Sequence, residues 1–121
     1  MTEQPNDSTE TEATPQWRVI AQLSDMEPKG LFDVVLDDQL VLLIKTDDEI
    51  RAVQGQCPHQ FARLVGGRLA DGQLCCPRHM AYFRLSDGVC TNGWQLPPLK
   101  RYEVRLSGED IAVLYPLVAL D

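Results

Sequence analysis

The sequence predicts a small all-β domain, an antiparallel β-sandwich or barrel carrying an inserted lobe. Three observations predict it. Short segments of strand length alternate with acidic or glycine-bearing turns. No segment sustains a 3.6-residue apolar period, as a packed helix would. The strand pattern breaks between Gly55 and about Pro98, where glycine, cysteine and proline accumulate.

The elements follow in order. Residues 17–23 mix aromatic, β-branched and polar side chains. Residues 31–36 and 39–45 flank Asp37-Asp38, a two-residue hairpin turn. Residues 49–54 form the next strand, reached through a second acidic turn at Asp47-Asp48. Residues 101–106 and 111–115 flank Ser107-Gly108-Glu109-Asp110, again a hairpin pattern. There are no internal repeats. A chain of 121 residues makes one domain, burying roughly two-thirds of its unfolded surface. The expected division is a disordered acidic tail over residues 1–15 and a folded domain over 16–121, with the lobe at about 55–98.

Charge narrows the function. The net charge is −7, and Glu3, Asp7, Glu10 and Glu12 place −4 of it in the first 15 residues, where Lys and Arg are absent. This sign disfavours nucleic acid, and it suits a solvated leader or steering toward a basic partner. No run of 18 apolar residues is present, so no membrane span is expected. The first residues lack a basic region followed by an apolar one, so a cytoplasmic location is expected. Neither G-x-G-x-x-G nor a P-loop occurs, so the chain should not bind its own nicotinamide or flavin.

The chemistry concentrates in the lobe. Cys57-Pro58-His59 and Cys76-Pro77-Arg78-His79 each join one thiolate to one imidazole, with 16 residues between His59 and Cys76. They contain both histidines of the chain. Zinc fingers usually pair Cys with Cys and His with His, whereas each box here is mixed. Mixed pairing suits two irons, one held by two thiolates and one by two imidazoles, the donor set of a Rieske 2Fe–2S centre. Pro58 and Pro77 stiffen the ligand loops, and Gly66-Gly67 and Asp71-Gly72 supply turns that bring the boxes together. Phe83 and Leu85 are expected to pack beneath the second loop.

From about Trp17 to Tyr115 the chain resembles a Rieske-type ferredoxin, the electron carrier of bacterial multicomponent oxygenases. The matching residues are Cys57-Pro58-His59-Gln60, Cys76-Pro77-Arg78-His79, Phe83, Asp87-Gly88, Pro97-Pro98-Leu99 and Tyr102-Glu103-Val104. The resemblance implies the Rieske fold, one 2Fe–2S cluster held by Cys57, His59, Cys76 and His79, and histidines at an exposed tip. It implies a proline-bearing third loop shielding the cluster, matched in position by Pro97 and Pro98. Phe61 and Met80 follow the histidines closely and are candidates for an apolar docking rim, against ordinary packing, and Gln60 is a candidate for shielding the cluster or docking. High-potential members carry two further cysteines where this chain has Ala62 and Arg78. They also carry a Ser and a Tyr that bond near the cluster where it has Ala81 and Phe83. Fewer donors destabilise the reduced state, which places the expected potential on the order of −150 mV.

Other residues invite structural readings. Cys75 should face away from Cys76 as a buried reduced thiol, and Cys90 should pack in its turn. A Cys75–Cys90 disulfide is disfavoured in a reducing cytosol. Trp94 is either a packing anchor or a shield. Arg63, Arg68, Arg78 and Arg84 make the lobe locally basic, either as solvated surface or to offset the reduced cluster.

The resemblance implies an electron-transfer component rather than an enzyme. Its partners would be a flavin-containing NAD(P)H reductase and a terminal oxygenase, engaged transiently by a monomer. The match looks most like ferredoxins of diiron hydrocarbon monooxygenases of the toluene monooxygenase type, in aromatic hydrocarbon catabolism. Ferredoxins of Rieske dioxygenases stand close behind. The alternatives are a nitrite reductase small subunit of the same fold and a structural zinc module.

Overall fold

The computed structural model describes residues 14–27, 29–47, 49–58, 62–78, 80–92 and 95–120. The expected acidic tail falls almost wholly outside them, and so do His59, Gln60, Phe61, His79 and Trp94. The described residues form the strands β1 (Gln16–Gln22), β2 (Leu31–Leu36), β3 (Gln39–Lys45), β4 (Ile50–Gln54), β5 (Arg68–Ala70), β6 (Gln73–Cys75), β7 (Tyr82–Arg84), β8 (Arg101–Tyr102), β9 (Val104–Ser107) and β10 (Asp110–Tyr115). Their helical content is two 3₁₀ turns, Leu23–Met26 and Leu64–Gly66. No described helix is long and apolar enough to cross a membrane.

Three antiparallel sheets result, in the orders β1-β10-β9, β2-β3-β4-β8 and β5-β6-β7. Local turn chemistry sets the hairpins. Asp37 and Asp38 sit at φ 45° and 71°, and Asp71 and Gly72 at 50° and 75°. Two successive left-handed residues make the turn whose twist matches paired strands. They close β2 on β3 with Leu36 opposite Gln39, and β5 on β6 with Ala70 opposite Gln73.

The sheet β2-β3-β4-β8 is the middle layer, and β3 shows why. Val41, Leu42, Leu43 and Ile44 are all fully buried. Side chains alternate across a strand, so Val41 and Leu43 join one core with Ile111 and Val113 of the β1-β10-β9 sheet. Leu42 and Ile44 join a second core with Leu74 and Phe83 of the lobe. A strand covered on both faces reads as a continuous apolar run rather than an alternation. Each such side chain contributes about 1.5–3 kcal/mol by leaving water.

The lobe is inserted between neighbours. β4 and β8 pair through Ala52–Tyr102 and Val53–Arg101, and the chain from Gly55 to Lys100 leaves and returns at that junction. The Gln54 N–H donates to the Lys100 carbonyl at 2.9 Å, and the Gly55 N–H to the Leu40 carbonyl at 2.8 Å. One expectation needs correction. Residues 101–106 are not one strand: β8 pairs with β4 in the middle sheet, whereas β9 pairs with β10 in the outer one. The chain changes sheets at Glu103, as strands do at the corner of a sandwich.

Candidate metal centre

Cys57 and Cys76 each open a six-residue segment, and the two segments are closed alike. The Cys57 N–H donates to the Ala62 carbonyl at 2.9 Å, and the Cys76 N–H to the Ala81 carbonyl at 2.8 Å. Behind each loop an antiparallel pair closes the neck, Gln56 opposite Arg63 and Cys75 opposite Tyr82. In sequence both loops read Cys-Pro-x-x-x-Ala. Proline has no N–H and a fixed φ, so the cysteine's own N–H is the closing donor and the chain turns immediately after it.

Both thiols are reduced and fully buried. They share one apolar cluster with Leu42, Leu64, Ala81, Phe83 and Leu99. Gly67 lets the segment that follows the first loop lie against the neck of the second. A Cβ there would stand 1.9 Å from the Cys75 carbonyl oxygen, whereas one on Gly66 would only touch the Pro77 ring at 3.6 Å. Gly67 is therefore required for close approach, not for turn freedom, a role the Gly66-Gly67 pair did not reveal in sequence.

Of the remaining candidates, Phe83 and Leu85 are buried in the same cluster as Cys76, as expected. Met80 is 50% exposed, and Pro77 and Arg78 beside it are exposed as well. Pro97 and Pro98 are both exposed, while Leu96 and Leu99 on either side pack onto the cluster that holds the cysteines. The third loop is anchored there. The Leu99 N–H donates to the Gly88 carbonyl at 2.9 Å, and a Cβ on Gly88 would meet the Leu99 oxygen at 2.5 Å.

The arginines are mostly engaged by near neighbours. Arg63 grips Asp33 of β2 with two bonds of 3.1 and 2.8 Å, which raises its guanidinium pKa above the ordinary value. Arg84 grips Asp87 with bonds of 3.0 and 2.7 Å. That grip, with the Val89 N–H, holds the Asp87 carboxyl at about 2. Arg68 donates to the Tyr82 hydroxyl at 3.1 Å. Arg78, on the Cys76 loop, is exposed and has no such partner among the described residues.

Strand register decides the other two cysteines. Cys75 lies opposite Tyr82, and Cys90 opposite Phe83. Tyr82 and Phe83 are successive residues of β7 and face opposite sides, so Cys75 and Cys90 do too. Both are reduced, Cys75 buried and Cys90 half-buried. The disulfide is excluded by geometry, apart from compartment.

The described residues fit a mixed-ligand 2Fe–2S group. Two water-excluded thiols occupy the same place on twin loops, and each loop carries one histidine in sequence, His59 or His79.

Comparison with known proteins agrees. The family model of the Rieske 2Fe–2S domain matches residues 16–114. The chain is 32% identical over 94 residues to apoptosis-inducing factor 3 of Mus musculus, covering 78% of this chain and 16% of that protein's length. It is 31% identical over 99 residues to the biphenyl dioxygenase ferredoxin subunit of Pseudomonas sp. strain KKS102, covering 81% of this chain and 91% of that one. In structure it is similar to the ferredoxin of carbazole 1,9a-dioxygenase from Nocardioides aromaticivorans IC177. The TM-score is 0.72 at 25% identity, over 84% of this chain and 97% of that one.

Proposed function

The chain belongs to the Rieske 2Fe–2S domain family, and on that premise we propose that it is a one-electron carrier. It takes electrons from a flavin-containing NAD(P)H reductase and delivers them to a terminal oxygenase, either a diiron monooxygenase or a Rieske dioxygenase. The family's cofactor is one Rieske-type 2Fe–2S cluster. We assign Cys57 and Cys76 to one iron and His59 and His79 to the other. When bound, the cluster accepts and releases a single electron.

The chain's residues do the remaining work. The apolar cluster around Cys57 and Cys76 keeps water from the thiolates. Ala81 and Phe83 place no hydroxyl beside them, which keeps the potential low. Pro77, Arg78, Met80, Pro97 and Pro98 are exposed and form the rim on which partners dock transiently. The carrying observation is the pair of twin loops, each committing a buried thiol while Arg78 and Met80 stay on the surface. The near full-length match to a dioxygenase ferredoxin subunit supports the same reading. We place the carrier in the cytoplasm as a monomer.

The test is an anaerobic redox titration followed by electron paramagnetic resonance, then stopped-flow mixing of the reduced protein with terminal oxygenases. A Rieske signal at low potential and rapid reoxidation by an oxygenase are expected. A Rieske signal with reoxidation only by a nitrite reductase large subunit would move the chain to that system. Zinc in place of iron and sulfide would overturn the reading.

A further inference from the structure

The second ligand loop ends on a residue in an unfavourable conformation. Met80 directly follows His79 and sits at φ 59°, a region where a bulky L side chain is an outlier. Its N–H donates to the Cys76 carbonyl at 3.3 Å. In this five-to-one turn the left-handed last residue is usually glycine. The side chain gains little in return: it is 50% exposed, and its sulfur lies 4.0 Å from that of Cys75. Neither burial nor backbone preference holds Met80 in place.

Asn92 holds it. The segment before Asn92 lies along β7, with Cys90 opposite Phe83 and the Thr91 N–H donating to the Tyr82 carbonyl at 2.9 Å. Asn92 then continues that ladder with its side chain. Oδ1 accepts from the Tyr82 N–H at 3.1 Å and from the Cys90 thiol at 3.5 Å. Nδ2 donates to the Met80 carbonyl at 2.7 Å. One carboxamide thus grips the backbone on both sides of Ala81, whose carbonyl closes the loop on the Cys76 N–H. The grip needs a donor and an acceptor on one short planar group, and Asn supplies both.

We propose that Asn92 is a positioning residue for the metal centre: its carboxamide holds Met80 in the left-handed turn and so fixes the end of the Cys76 loop, the loop that in sequence contains His79. The inference rests on the ligand assignment above.

The experiment compares holoprotein of the wild type, Asn92→Ala and the double variant Asn92→Ala/Met80→Gly. The readouts are the paramagnetic resonance spectrum of the reduced state and the rate of cluster loss. Releasing a left-handed non-glycine residue should speed cluster loss about five- to thirtyfold in Asn92→Ala, with altered g-values. Glycine at position 80 adopts the turn without steric cost, so the double variant should recover the wild-type spectrum and most of the lifetime. A purely structural loss elsewhere in the lobe would not be rescued this way. Wild-type spectrum and lifetime in Asn92→Ala, or no recovery in the double variant, would overturn the proposal. A wild-type protein without a Rieske spectrum would overturn the ligand assignment first, and the proposal with it.

Discussion

The two Cys-Pro loops share a closing frame but differ in what braces it. The first is tied to the middle sheet. Arg63 at its neck grips Asp33 of β2, the Leu64 N–H donates to the Gly55 carbonyl, and Gly55 in turn bonds to Leu40 of β3. Lys29 adds a bond of 2.7 Å to the Val65 carbonyl just beyond the loop. The second loop grows from β6 and β7, and its described bonds stay within the lobe, to Cys75, Ala81, Tyr82 and Asn92. One loop borrows stiffness from a sheet buried on both faces; the other supplies its own through side-chain bonds. Equal presentation of two thiols therefore rests on unequal supports.

The largest expected effect tests the equivalence itself. Cys57→Ala and Cys76→Ala should each abolish the native cluster, read as lost iron and acid-labile sulfide, and His79→Ala should do the same. A native spectrum surviving in any one of them would break the symmetry of the twin loops and refute that ligand.

Next comes the close approach at the neck of the second loop. Gly67→Ala forces a methyl into the Cys75 carbonyl and should cost about 3 kcal/mol in urea unfolding. Gly66→Ala, making only ordinary contact with Pro77, should stay within about 0.5 kcal/mol. Equal costs would mean that the chain does not approach the Cys75 carbonyl closely at Gly67.

The potential sharpens the comparison further. A hydroxyl at fully buried Ala81 should favour the reduced state by about 1 kcal/mol, or roughly 40 mV upward for one electron. Ala62 holds the same loop position but is half-buried, so water competes and Ala62→Ser should shift the potential less. A redox titration of both variants checks the order, and no rise in Ala81→Ser would remove the account of the low potential.

The smallest effect lies in the turn leading to Asn92. The Asp87 carboxyl is held at about 2, below its ordinary 3.8, by Arg84 and the Val89 N–H. A depressed folded-state value means the unfolded chain takes up the proton first. The contribution is therefore complete above pH 3.8 and fades as pH falls toward about 2. Acid unfolding should be shallower across that window in Asp87→Asn, and an unchanged profile would show that the ion pair is merely a surface contact.

Much of this was legible in the chain because it is local. Asp37-Asp38 and Asp71-Gly72 close hairpins through the backbone preferences of their own residues, and the mixed Cys/His boxes state their donor chemistry through spacing alone. The uninterrupted run from Leu40 to Ile44 also carried a signal that a strand-by-strand reading passed over: a strand apolar on both faces needs cover on both. The split of residues 101–106 left no such mark, because both halves are extended and only their partners differ.

By itself, then, the sequence determined the all-β class, the hairpins, the twin Cys-Pro boxes and the donor set expected of a Rieske centre, since each depends on interactions spanning a few residues. Tertiary structure alone decided that Gly67 serves close approach, that Cys75 and Cys90 are kept apart by β7, and that Asn92 grips the turn after His79. These depend on which distant segments come to lie side by side. That is settled by burying two cores against one central sheet, not by the preferences of any residue taken alone.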